Sequence, residues 1–135
     1  MLLEADLKTH LYTEQITTIS RSDSTLIDEA IAAAIGEAKG YLSRYDIDTI
    51  FAETGSARDK TLLMWLKDIA TWHFITLANA AADDDFRESR YNSAIKWLKD
   101  VQSGKTVPYG WPLNTTTGLD TSFHVTSETK RETKY

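Results

Sequence analysis

The sequence predicts an all-α protein: a small bundle of about four to five helices followed by an extended C-terminal arm able to form a strand. Three observations lead there. Both prolines, Pro108 and Pro112, fall late in the chain, so the first hundred residues carry no proline break. Apolar residues recur at helical spacing in three long stretches. From Lys105 onward the composition turns rich in Thr and Ser, which form helices poorly. The boundary divides a helical domain, residues 1–104, from an arm, residues 105–135, that is expected to be disordered in part or bound to a partner.

Taken in order, the first element is a short helix from about Glu4 to Tyr12, where Leu3, Leu7 and Leu11 make one stripe. The stretch "TEQITTIS" reads as a turn, with Ile16 and Ile19 as anchors to the core. "SRSDST" is rich in N-cap residues. It opens the clearest helix, with Leu26, Ile27, Ala30, Ile31, Ala34, Ile35, Ala38, Tyr41, Leu42 and Tyr45 on one face. Gly36 and Gly40 within it each cost about 1 kcal/mol against alanine. Either a close helix crossing or simple tolerance would explain them. "DIDTIF" returns Ile47, Ile50 and Phe51 to the core, and "ETGSARD" is a loop in which Ser56 or Asp59 caps the next helix.

That helix, "DKTLLMWLKDIATWHFITLAN", is the most apolar stretch. At about 100° per residue it gathers Trp72, Trp65, Ile69, Leu62, Leu66, Leu77, Ala70, Leu63 and Phe74 on one broad arc. Lys60, Lys67, Asp68, Thr71 and Asn79 form an opposite polar stripe, with Met64 and Ile75 beside it. A central Lys–Asp pair would cost several kcal/mol in lipid, and no second candidate span could cover it. The arc fits a bundle helix with two or more neighbours. The last helix begins at "ADDDFRES", where Asp83, Asp84 and Asp85 suit a helix start. It buries Tyr91, Ala94, Ile95, Leu98 and Val101, sets Trp97 at the edge, and exits at Gly104. In the arm, "TSFHVTSET" alternates as a strand does, but a lone strand needs a partner.

Chemistry is sparse. The chain has 135 residues, no cysteine and a net charge of -5. The missing cysteines exclude disulfides, thiolate zinc sites and a thiol nucleophile. The acidic balance argues against a nucleic-acid binder. The opening "MLLEADLKTH" lacks the apolar run of a secretory signal. His73 has no metal-ligating residue at helical spacing and reads as a histidine bonded to a neighbour. His10 and His124 stand isolated. The run Asp83–Asp85 lacks the alternating ligands and glycine of a calcium loop. No phosphate-binding glycine motif occurs. Arg44, Arg58, Arg87, Arg90, Lys96 and Lys99 read as a mixed, solvated face. Trp111, between Gly110 and Pro112, is expected to pack on the bundle or on a partner. No catalytic residue, cofactor or metal ligand is expected; an enzyme centred on His73 and the acidic run is the remotest of the readings.

Several stretches resemble a family of small phage neck proteins, the head–tail connectors or head-completion adaptors. "LLEADLKTHLYTEQITTIS" is similar to the family's opening. "LIDEAIAAAIGEAKGYLSRYD" resembles its characteristic helix end, here Ala30, Ile31, Ala38, Tyr41, Leu42, Arg44, Tyr45 and Asp46. "LLMWLKDIATWHF" resembles the next long helix, through Asp68, Ile69, Ala70 and Trp72, and "RYNSAIKWLKDVQSGK" the last. The likeness covers about residues 3–107. It implies a non-enzymatic virion protein, assembled in the bacterial host cytoplasm, that forms a homo-oligomeric ring between portal and tail. Its implied partners are portal and tail or neck proteins, with non-specific passage of DNA and no membrane. A closed ring needs two different patches per subunit. Trp111, Phe123, Val125, Trp97, Arg44 and Tyr45 are the candidate subunit-interface residues, with the arm adding a strand to a neighbour. The alternative is a helical interaction or regulatory module of phage or prophage origin.

Overall fold

The computed structural model describes residues 1–21, 23–78 and 84–115. Six helices carry the described residues: α1 (Glu4–Leu7), α2 (Thr13–Ser20), α3 (Thr25–Tyr41), α4 (Ile47–Ala52), α5 (Lys60–Leu77) and α6 (Asp84–Gln102). A single 3-10 turn, Gly55–Ala57, precedes α5. The all-α prediction holds. No strand occurs among the described residues.

The first five helix starts each have a local cause. The Leu3 amide donates to the Asp6 carboxylate at 2.9 Å, and the Tyr12 amide to the Gln15 side chain at 3.1 Å. Each is the backward half of a capping box, which satisfies an amide outside the first turn. Asp23 accepts from both the amide and the hydroxyl of Thr25 at the mouth of α3. Asp46 accepts from the Thr49 amide at 3.1 Å and so caps α4. Asp59 does the same for α5, accepting from the Leu62 amide at 2.7 Å. At the far end of α6, Gly104 adopts φ +79°. Its amide bonds back to the Val101 carbonyl, a left-handed exit that glycine takes without a Cβ clash.

Helix α5 forms the centre. It packs on α3 and on α6, and α1 lies against α3 and α5. The ring pairs Trp65–Trp97 and Trp72–Tyr91 show that α5 and α6 run antiparallel, because one residue number rises as the other falls. Leu62, Leu66, Ile69, Ala70 and Phe74 of α5 meet Ile27, Ala30, Ala34 and Ala38 of α3 and Ala94, Leu98 and Val101 of α6 in one core. The alanine row on α3 leaves room for the bulky side chains of α5. Each large apolar side chain taken fully out of water there contributes about 1.5–3 kcal/mol.

Three expectations change, and one open alternative is resolved. "TEQITTIS" is not a turn but α2. Its hydroxyls bond back along the helix, Thr17 to the Thr13 carbonyl and Thr18 to the Glu14 carbonyl. The helix stops where Arg21 turns left-handed at φ 51°. Helix α3 ends at Tyr41, although its apolar spacing runs on to Tyr45. Leu42 and Tyr45 remain buried in the turn that follows. The polar stripe of α5 is not a solvent face: Asp68 and Thr71 are each 3 % exposed, while Leu77, assigned to the apolar arc, is 48 % exposed. Ile75 is also buried and Met64 is exposed. A helix surrounded by three others has little face left for water, whatever its own pattern says. Finally, Gly36 and Gly40 mark no close crossing, since a Cβ at either would meet nothing within 4 Å. Gly36→Ala is therefore expected to stabilise the protein by about 0.5–1 kcal/mol, readable as a higher urea midpoint at unchanged slope; a lower midpoint would show a hidden constraint.

The arm does not leave the bundle at once. The Asp46 amide donates to the Pro112 carbonyl and the Asn114 amide to the Arg44 carbonyl. Tyr45 and Leu113 thereby form a single antiparallel bridge. Residue 104 ends the helices but not the packing. The strand expected over "TSFHVTSET", with Phe123, His124 and Val125, lies outside the described residues.

Candidate functional site

Three constellations stand out. The first is a cleft of about 280 Å³ lined by Thr9, His10, Asp68, Thr71, Phe86, Arg87 and Arg90. Asp68 reaches inward from α5. Arg90, on the first half of α6, grips it with two bonds, 2.7 Å from Nε and 3.0 Å from Nη2. His10, just past α1, brings Nε2 to 3.2 Å from the same carboxylate, close enough for attraction but misaligned for a hydrogen bond. Burial pushes the Asp68 carboxyl up. The contacts with His10 and Arg90 together outweigh that and hold it below the usual carboxylate range. His10 is thus not isolated, and Arg90 is not part of a solvated basic face. Arg58 leaves that face too, bonded to Asp6 and to the Met1 carbonyl.

A Thr–His–Asp line invites comparison with a nucleophile and its base. Thr9 Oγ1 lies 3.1 Å from His10 Nδ1. However, that hydroxyl donates to the Asp6 carbonyl and accepts from Lys67, and Arg90 already neutralises Asp68. The arrangement ties the N-terminal segment to α5 and α6.

The second constellation joins α3, α5 and α6. Glu37 bonds His73 Nε2 through one oxygen and accepts the Tyr91 hydroxyl through the other, both at 2.8 Å. His73 is the neighbour-bonded histidine that its surroundings in the sequence led one to expect. Tyr91 stacks on Trp72 with ring centres 5.7 Å apart. Burial, the bond to Glu37 and the nearby negative charge push the Tyr91 phenol up to about 12 from 10.0. A raised phenol favours the fold fully below pH 10. That contribution is lost as pH rises through about 12. Absorbance titration should show a late tyrosine step, and Tyr91→Phe should remove that last step. A last step that survives in the variant would refute the assignment.

The third is an aromatic clasp. Trp111 packs edge-on against Tyr45 at 5.3 Å and Trp97 at 6.2 Å, and Trp97 stacks with Trp65. Its Nε1 donates to Asp59 Oδ2 at 3.1 Å, so the carboxylate that caps α5 also holds the arm. Of the candidate interface residues, Tyr45 is buried within the chain, and Trp97 and Trp111 pack on each other. Arg44 is exposed beside Gly104. Phe123 and Val125 lie outside the described residues. Trp111→Ala should cost about 2–3 kcal/mol, by uncovering Tyr45 and Trp97 and breaking the bond to Asp59. The helical circular dichroism should persist, and an unaltered denaturation midpoint would refute the clasp.

Apolar side chains remain outside these clusters. Val107, Tyr109 and Leu113 on the arm and Phe86 at the cleft rim are all more than half exposed. No helix among the described residues is long and apolar enough to cross a membrane.

A family model described as Bacteriophage Mu, Gp36 matches residues 3–116. The chain belongs to the Gp36 family of bacteriophage Mu. It is a phage protein. The match runs from α1 through the clasp, so Trp111 and Leu113 fall within the family's extent together with the helices. No curated protein and no solved structure matches this Gp36-family chain.

Proposed function

We propose that this Gp36-family protein is a head–tail connector subunit, a virion component that closes into a ring between portal and tail and acts by shape and contact. The observation that carries the reading is the arm. Val107, Tyr109 and Leu113 are 71, 101 and 56 % exposed, on a segment that Trp111, Pro112 and Asn114 fasten to the bundle. Apolar side chains kept in water on an anchored segment are what a docking surface requires. The family match supports a phage setting. The polar clusters support a non-enzymatic role, because Asp68 is engaged by Arg90 and Glu37 by His73 and Tyr91.

Native mass spectrometry and electron microscopy, on the chain alone at high concentration and with its portal protein, test the proposal. Rings of defined copy number are expected, and Tyr109→Asp should weaken them. A chain that stays monomeric in both settings would overturn the reading. Portal and tail genes flanking the coding sequence would accord with it.

A further inference from the structure

We infer that the cleft between α1, α5 and α6 is the socket of the subunit contact, and that it receives the Asp48 carboxylate of a second copy of this chain. The inference rests on the connector reading and gives it a specific interface.

The charge of the cleft comes first. Asp68 is neutralised by the two-point grip of Arg90. That leaves Arg87, which has no carboxylate within ion-pair distance among the described residues. Its contact within the chain is a long one, 3.5 Å from Nη1 to the His10 carbonyl. Asp85 and Glu88 lie on the same helix but line a separate shallow groove with Ser89, Asn92 and Ser93. The cleft therefore offers a guanidinium, and beside it Phe86 is 60 % exposed. A guanidinium fork is built for a carboxylate.

The rest of the molecule supplies the occupant. The chain carries 20 acids against 15 Lys and Arg, so acid is in surplus elsewhere. Asp48, in the first turn of α4, is exposed and has no ion pair among the described residues. It lines a groove with Lys39, Tyr45, Asp46, Ile47 and Asn114. Lys39 lines the same groove but makes no ion pair with it, lying over the Phe51 ring at 5.3 Å. Next to this groove Leu113 is 56 % exposed. Each patch thus sets a charge beside an uncovered apolar side chain, Arg87 with Phe86 and Asp48 with Leu113, and these two charges are opposite; Asp46 and Lys39 share the second groove.

The two patches lie apart on the bundle. Trp111, beside Tyr45 and Leu113, meets α6 at Trp97, and the cleft meets the same helix at Arg87. At 1.5 Å per residue these points are roughly 15 Å apart along the axis. A contact between two unlike, complementary patches is head-to-tail, the kind that closes into a ring when the rotation between copies allows it.

The test is a charge exchange. Wild type, Arg87→Glu, Asp48→Arg and the double variant are compared for the concentration at which rings form, with and without portal, by native mass spectrometry and electron microscopy. Each single variant should raise that concentration about tenfold, or 1.4 kcal/mol, and the double should restore it. Circular dichroism and urea midpoints show whether each variant is folded; Asp48 is exposed and Arg87 half-buried. Rings unaffected by Arg87→Glu would overturn the socket. Weakening by both singles without recovery in the double would overturn the pairing with Asp48. Normal rings that no longer bind portal would give the cleft to the portal and overturn the contact between copies. A wild type that never associates instead removes the connector reading, a result separate from the other three.

Discussion

Phe74→Ala should destabilise the protein by about 3–5 kcal/mol. Phe74 is fully buried and heads the largest side chains of the core. It lies on α5 where that helix packs between α3 and α6, so neighbours on several sides restrict collapse into the space left behind. A domain of this size has about 5–15 kcal/mol in total, and the variant should sit near the edge of folding. Urea unfolding followed by circular dichroism measures the effect. Trp72→Ala is the informative comparison. Trp72 is only half-buried and stacks on Tyr91 at the rim, so its removal should cost about half as much. Equal losses at the two positions would contradict this placement of the core.

Asp68→Ala should cost about 2–3 kcal/mol. Removing one partner of a buried ion pair strands the other, which typically costs 3–5 kcal/mol. Here the Arg90 side chain is 40 % exposed, and water recovers part of that. Asp68→Leu combined with Arg90→Leu should regain much of the loss, because no charge is then left unpaired. The pH dependence has a definite sign. The folded carboxyl lies below its ordinary value of 3.8, so its contribution is present above that pH and is lost as pH falls through the lower, folded value. Acid titration of stability should lose this component in Asp68→Ala. An acid profile identical to that of the wild type would show that Asp68 does not carry it.

Much of the fold was legible along the chain. The spacing from Leu26 to Tyr45 marked α3, though it overran the helix end at Tyr41, the Trp-rich stretch marked α5, and Gly104 marked the end of α6. In each case the signal lies within a few residues: a cap, a stripe, a left-handed exit. The errors share a cause as well. α2 is rich in Thr and Ile, whose weak helix propensity hid it; the one positive signal was Gln15 three residues after Tyr12. Asp68 and Thr71 were set on a polar stripe opposite the core arc because a helical wheel registers only its own helix. The partners of Asp68 are Arg90, on the next helix, and His10, near the other end of the chain. The cleft and its Arg87 were invisible for the same reason. Trp111 demanded a cover, but nothing near it in sequence named Tyr45, Trp97 and Asp59.

The order of elements, the helical class and the residues of the inner row were decided by the sequence itself, since each depends on periodicity and on hydrogen bonds closed over three or four residues. Which polar groups are buried, where the arm is fastened and which charge is left unsatisfied were decided only in three dimensions. Those outcomes depend on which distant side chains arrive together, and no local pattern encodes that.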